Sequence, residues 1–173
     1  HLDWHGTMDA YAAAKARILD RCGTAVINLD DPLVAAMARA GQRTLTFSLH
    51  ADSGADYYLQ GNESVDYLCH QGERLLAVDS MRIVGSHNAA NALAALALGD
   101  ALGLSRAAMI ATLQEFPGLP HRAAWVADVA GVRYVNDSKG TNVGATIAAV
   151  AGFKGPLLLI AGGDGKNQDF APL

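Results

Sequence analysis

Three short runs in this sequence concentrate groups able to grip an anion or a nucleotide. Asn136-Asp137-Ser138-Lys139-Gly140-Thr141-Asn142 falls where a strand pattern gives way to a helix pattern. Open α/β sheets bind ligands beyond the carboxyl ends of their strands, and a helix N-terminus offers free amides to anions. Asp137 there suits a ribose hydroxyl or a metal-bound water, Lys139 a phosphate, and Thr141 a carboxylate or phosphate oxygen. The same turn also reads as a polar connection in which Thr141 or Asn142 caps the helix. Gly162-Gly163-Asp164-Gly165-Lys166 follows the most apolar run of the chain. Its glycines let backbone approach a ligand and Lys166 can make a point-charge contact, although glycine loops after strands are often only turns. No Gly-x-x-x-x-Gly-Lys-[Ser/Thr] run occurs, so this is not a Walker A loop. His121-Arg122 follows the stiff Phe116-Pro117-Gly118-Leu119-Pro120 stretch. Arginine can hold phosphate bidentately from such a hinge, and a solvated linker charge is the plainer alternative.

Two further groups are weaker. In Ser86-His87-Asn88 with Asn91, the histidine and asparagines share one helix face, where they can read an adenine edge or merely satisfy buried polar groups. Lys15 stands among small residues in Tyr11-Ala12-Ala13-Ala14-Lys15-Ala16. A desolvated amine becomes nucleophilic enough to take up carbon dioxide, but on pattern alone a solvated helix lysine is the better reading. His1, Asp3 and His5 carry metal-capable atoms without a Cys/His framework beside them.

The elements that must position these groups read as α/β. Apolar spacing and caps predict helices over 8–21, 32–40, 87–102 with Ser86 as N-cap, 105–115 and 142–151. Strands are expected at 24–29 and 44–49, and short antiparallel segments at 57–59, 65–68, 75–78 and 81–84. Residues 123–130 and 132–135 flank Gly131 as a hairpin, and 156–161 reads as a central strand. The Pro/Gly stretch at 116–120 is the best boundary. Of 173 residues, 51% are hydrophobic and 17% charged, a globular composition that excludes disorder. A net charge of -4 argues against a general nucleic-acid binder. No apolar run reaches the roughly 20 residues that cross a bilayer. Cys22 and Cys69 show no metal-ligand spacing and are too few for a disulfide scaffold, which favours a reducing compartment. The chain opens on His1 within a dense run, without an initiator Met or a secretory leader, and reads as a piece of something longer.

Taken together, six runs resemble the Mur ligases. They are His-Leu-Asp-Trp-His-Gly-Thr-Met at 1–8, Tyr-Ala-Ala-Ala-Lys-Ala-Arg at 11–17 and Gly-Ser-His-Asn-Ala-Ala-Asn-Ala-Leu-Ala-Ala at 85–95. Phe-Pro-Gly-Leu-Pro-His-Arg at 116–122, Asn-Asp-Ser-Lys-Gly-Thr-Asn-Val-Gly-Ala-Thr at 136–146 and Gly-Gly-Asp-Gly-Lys at 162–166 complete them. The order along the chain is the family's, and the last two runs match the branch that adds D-glutamate. The resemblance implies a P-loop-type central ATPase domain with an antiparallel hairpin subsheet, of which 1–122 is the later part. It implies that 123–173 is the front of a Rossmann-like C-terminal domain.

The implied chemistry is ATP-dependent amide formation in peptidoglycan synthesis. The carboxylate of UDP-N-acetylmuramoyl-L-alanine is phosphorylated, and the amine of D-glutamate displaces phosphate from the acyl phosphate. By resemblance, His1 ligates Mg²⁺, and Lys15 is carbamylated to N6-carboxylysine and positions a second Mg²⁺. Asn91, with Asn88 and His87 beside it, lies on the adenine side. Arg122 reaches the ATP phosphates, Asp137 the ribose region, Lys139 and Thr141 the nucleotide and D-glutamate, and Lys166 the D-glutamate carboxylate. The family's UDP-binding domain, P-loop and far C-terminal region find no counterpart here, so these 173 residues alone are expected to be inactive. A cytoplasmic, monomeric parent that neither binds nucleic acid nor inserts into membrane is expected. The rival readings are a Mur-type or folylpolyglutamate-type ligase for another amino acid, and a noncatalytic nucleotide-binding module.

Overall fold

A computed structural model describes residues 2–62, 64–153, 155–165 and 168–173. It contains a five-stranded sheet covered by helices and a separate two-stranded hairpin with its own helix. The sheet runs β1 (Thr24–Asn28), β2 (Arg43–Ser48), β3 (Tyr57–Gly61), β4 (Asp66–His70) and β5 (Glu73–Ala77), in that spatial order. The pairs β1–β2 and β2–β3 are parallel, and β3–β4 and β4–β5 are antiparallel, as the alternating pattern at 56–78 leads one to expect. Strand β3 begins beside the end of β2, overlapping it only at Phe47↔Tyr57 and Ser48↔Tyr58. That short overlap needs no full return of the chain, which explains how eight residues can join two parallel strands.

Carboxylates tie the strand ends where the ladder stops. Asp30, just past β1, accepts from the Leu49 N–H at 2.7 Å and from the hydroxyl of fully buried Ser48. Asp56 accepts from both the N–H and the hydroxyl of Thr46, each at 2.8 Å. Charged acceptors make such bonds about twice as strong as neutral ones.

Helix α4 (Ser86–Ala101) lies across β1 to β4 and buries Ala89, Ala92, Leu93, Leu96 and Ala97. Their spacing is that of one helix face, and they share a core with Tyr57, Leu68, Leu76 and Met81. Helix α5 (Arg106–Glu115) packs on α4 through Met109, Ile110 and Leu113. At the N-terminal side, α1 (Leu2–His5), α2 (Met8–Ala16) and α3 (Pro32–Ala35) surround β1, with Leu19, Ala25 and Ile27 as a smaller core. The hairpin pairs β6 (Ala124–Val129) with β7 (Val132–Asn136) through a two-residue turn in which Ala130 (φ 49) and Gly131 (φ 79) are both left-handed. Helix α6 (Val143–Ala151) follows it.

Several expected elements differ. The first long helix stops at Ala16 and tightens into a 3-10 turn at Arg17–Leu19. Its freed carbonyls find tertiary partners: the Gln42 side-chain amide donates to Leu19 O at 3.0 Å and to Cys22 O at 3.1 Å. Helix α3 ends at Ala35 instead of residue 40, because the following N–H groups of Met37 and Ala38 bond three residues back. Residues 81–84 form no strand; the 3-10 turn Val78–Ser80 steers the chain off the sheet, and Met81 is buried in the core on its own. Gly85, not Ser86, occupies the N-cap of α4. Residues 156–161 have no ladder partner among the described residues, and Leu158 and Ile160 are 89% and 87% exposed. Apolar character suits a strand, but only a hydrogen-bonded neighbour makes one.

At the far end of α4, His70 stacks on Tyr57 with ring centroids 4.3 Å apart. Arg106 donates to His70 Nδ1 at 3.0 Å and to Glu73 at 3.1 Å. Accepting at Nδ1 makes this imidazole neutral, with its proton on Nε2. Burial, then the Arg106 charge, hold His70 below the usual histidine range against the opposing pull of Asp100, Asp56 and Glu73. Burial, then the Asp100 carboxylate, push the Tyr57 phenol up to about 12. Because the folded pKa of His70 is depressed, the unfolded chain binds the proton first. This contribution to stability is complete above roughly pH 6.5 and is lost as pH falls below it toward the lowered folded value. Urea midpoints measured between pH 5 and 8 should therefore drop on the acid side, and His70→Gln, which can still accept from Arg106, should flatten that drop. An unchanged profile in the variant would exclude His70 as its source.

Candidate functional site

The stiff segment after α5 ends in a hinge that meets the loop after β7, and together they carry four of the expected ligand-facing residues, Arg122, Asp137, Lys139 and Thr141. His121 (φ 64) and Ala123 (φ 46) are both left-handed, a conformation that costs an L-residue about 1–2 kcal/mol. Bonds to the loop after β7 offset that cost. The Ala123 N–H donates to Asp137 Oδ1 at 3.0 Å, the Lys139 N–H to His121 O at 3.0 Å, and the Asn136 amide to His121 Nδ1 at 3.1 Å. The loop also braces itself, with Ser138 N–H donating to Asn136 Oδ1 and Gly140 N–H to Asp137 O. A Cβ on Gly140 would stand 2.7 Å from Asp137 Oδ2, so a larger residue there would displace the Asp137 carboxylate.

The structure thus brings Arg122, Asp137, Lys139 and Thr141 onto one hinge-and-loop assembly, with Arg122, Lys139 and Thr141 exposed and Asp137 half-buried. Two cations and a hydroxyl displayed beside a helix start form a surface suited to an anionic ligand. Asn142 caps α6 by accepting from Ala145 N–H at 2.8 Å, and Gln168 Oε1 accepts from Val143 N–H at 3.0 Å. The capping alternative therefore holds for Asn142, while Thr141 stays exposed beside it.

At the start of α4, Asn88 donates to Val84 O at 2.8 Å and accepts from the Asn91 amide at 3.4 Å. Asn88 is thus committed to the turn, and Asn91 displays its amide at the surface. His87 is packed between glycines, with Nδ1 buried and without a hydrogen-bond partner among the described residues.

Lys15 lies elsewhere, exposed on α2 beside an apolar cleft of about 530 Å³ lined by Met8, Tyr11, Val26, Leu33 and Met37. Its ammonium sits 5.5 Å from the Tyr11 ring centroid, and the His5 ring lies 5.1 Å from the same centroid. The alanine run does not bury the amine, as a desolvated lysine would require. His1 and Lys166 fall outside the described residues. No group of three or more His, Cys, Asp or Glu among the described residues could hold a metal, and no helix among them is long and apolar enough to cross a membrane. Sequence reasoning noted His121 only as the neighbour of Arg122, and missed Gln168 and Gly152, which support the site. Gln168 carried no signal beyond polarity, and Gly152 none beyond a glycine at a helix end.

The model of the Mur ligase middle domain matches residues 1–99. A UDP-N-acetylmuramoylalanine--D-glutamate ligase of Methylococcus capsulatus is 52% identical over 173 residues, covering all of this chain and 38% of that protein. A ligase of the same name from Nitrosococcus oceani is 52% identical over 175 residues, covering all of this chain and 39% of that protein. Among solved structures, MurF from Acinetobacter baumannii superposes with a TM-score of 0.69 at 22% identity, over 86% of this chain and 33% of that one. A pseudomurein peptide ligase type C from Methanothermus fervidus gives 0.70 at 17% identity, over 86% and 38%. The chain belongs to the Mur ligase family. It spans about two fifths of the length of the curated relatives it matches.

If the Asp137 contact holds the hinge shut, Asp137→Ala should quicken tryptic cleavage after Arg122 about two- to tenfold, the range that one hydrogen bond supports. Asp137→Asn keeps an acceptor oxygen and should be cut at the original rate. Equal rates for all three proteins would remove the hinge assignment.

Proposed function

We propose that these residues form part of an ATP-dependent ligase that joins D-glutamate to UDP-N-acetylmuramoyl-L-alanine through an acyl phosphate, in the cytoplasm, for peptidoglycan synthesis. The observation that carries this reading is identity of about one residue in two across the whole chain with ligases of that name. We take 1–122 as the later part of the ATP-binding domain and 123–173 as the front of the next, with the hinge at Arg122–Ala123 between them.

The residues present fit the groups this reaction needs. Exposed Asn91 at the start of α4 can meet an adenine edge, and Arg122 and Lys139 can neutralise phosphate charge from the hinge and loop. Lys15 is exposed on α2, so its carbamylation rests on the match of Tyr11 to Arg17 with the family and not on burial of the amine; as a carbamate it would become an anion. Mg²⁺ typically takes one or two carboxylate-like ligands and completes its shell with water and phosphate. His1 would ligate one Mg²⁺, and carbamylated Lys15 would position a second. When bound, ATP supplies the phosphoryl group that activates the substrate carboxylate, and Mg²⁺ screens the charge in transfer. The protein's own part is positioning and charge balance. Asp137 orients the hinge while remaining near the ribose side, Thr141 offers its hydroxyl at the helix start, and Lys166 anchors a carboxylate of D-glutamate.

The deciding assay offers the intact protein UDP-N-acetylmuramoyl-L-alanine, ATP and, in turn, D-glutamate, L-alanine and L-lysine, with a folate substrate as a further control. Phosphate release and product only with D-glutamate are expected; preference for another acceptor, or none, overturns the reading. These 173 residues alone should give no product. In the intact enzyme, Lys15→Ala should lower kcat on the order of a hundredfold, with partial recovery on adding short carboxylates; full activity would exclude a carbamate at Lys15. Lys166→Ala should raise KM for D-glutamate roughly 10- to 100-fold, as loss of one charged hydrogen bond would, and leave KM for ATP nearly unchanged. Equal rises in both would mark Lys166 as structural.

A further inference from the structure

Gly152 ends α6 with φ -77 and ψ -12, a backbone that any residue adopts. Conformation therefore does not demand glycine there, whereas space is tight. A Cβ at 152 would stand 3.3 Å from Gly85 Cα, 3.3 Å from His87 Nδ1 and 3.3 Å from Ala149 O. From the opposite side, a Cβ on Gly85 would stand 2.9 Å from His87 Cε1 and 3.6 Å from Gly152 Cα. Gly85 also has φ 98, which an L side chain rarely adopts. The N-terminus of α4 and the C-terminus of α6 thus meet backbone to backbone, with the His87 imidazole packed against both glycines. Since His87 Nδ1 is buried without a hydrogen-bond partner among the described residues, packing rather than polar bonding holds the ring.

We propose that His87 is a positioning residue whose ring, seated between Gly85 and Gly152, docks α6 on α4 and so fixes where the Asp137–Thr141 loop stands. Helix α6 has nine residues and is about 13 Å long. The seat holds one end of it and the loop begins at the other. The hinge at Leu119–Ala123 is one attachment between the hairpin–α6 segment and the sheet, and a single attachment leaves a swivel. The seat is the second, and two attachments define an orientation. This role is separate from any adenine contact. It rests on the ligase reading only in taking the Asp137–Thr141 loop as nucleotide-facing.

Hydrogen exchange on the intact protein without substrate tests it. Overpacking the seat with Gly152→Val should speed exchange across α6 and residues 136–142 about tenfold or more, while β1 to β5 keep their protection. His87→Ala should give the same pattern. His87→Phe, which keeps a flat ring but no nitrogen, should retain the parent's protection of α6. Unchanged α6 exchange in Gly152→Val, equal acceleration in β1 to β5, or a His87→Phe pattern like that of His87→Ala would each overturn the proposal. Failure of the parent protein to use D-glutamate would overturn the ligase reading and leave this exchange pattern untouched.

Discussion

Burial of one face of α4 is the constraint on which the rest of the structure depends. Ala89, Ala92, Leu93, Leu96 and Ala97 present a low, nearly flat surface to the sheet, and that lets the helix lie close across four strands. Small residues at such a face trade side-chain area for close approach, and the larger Leu93 and Leu96 fill the gaps. Everything functional is referred to this helix. Its first turn carries His87, Asn88 and Asn91, its last turn carries Asp100 toward Tyr57, and its Gly99 receives the Met109 side chain of α5. A shift of α4 would move Asn88, Asn91 and the α6 contact together.

The parallel strands supply the second organising feature. At their carboxyl ends the backbone runs out of ladder partners, and Asp30 and Asp56 take over as acceptors. The same strategy recurs at the hinge, where Asp137 receives the Ala123 N–H. In each place a short acidic side chain substitutes for a neighbouring strand and keeps a turn rigid. The hinge also holds left-handed backbone at His121 and Ala123, so its shape persists only while the loop after β7 grips it.

Elements whose signal is local were legible in the sequence. The alternation and glycine turns at 57–77 marked the antiparallel strands, Gly131 marked the hairpin, and Asn142 marked the start of α6. Elements whose limits depend on distant partners were not. The end of α2 is decided by Gln42, more than twenty residues away, and the chain after β5 by a 3-10 turn that buries Met81. For the site, the motif runs identified which residues to examine, and the fold showed that Arg122, Asp137 and Lys139 belong to one assembly. The bonds uniting them use backbone N–H groups and the unremarkable polar side chains of His121 and Asn136. Such contacts leave no periodicity to read. Lys15 was also legible: the pattern around it reads as a solvated helix lysine, and the structure leaves it exposed on α2.

The unladdered run at 156–161 has a practical consequence. Four consecutive large aliphatic residues, Leu157 to Ile160, are exposed with no strand beside them among the described residues. Such a segment is a template for edge-to-edge addition, and the same β-forming character that suits a central strand makes it adhesive when uncovered. Handled as an isolated polypeptide, this chain should self-associate through that segment as concentration rises, before its helices or the five-stranded sheet lose structure. A charge placed at Leu158, on the most exposed position of the run, is the natural means of keeping it dispersed.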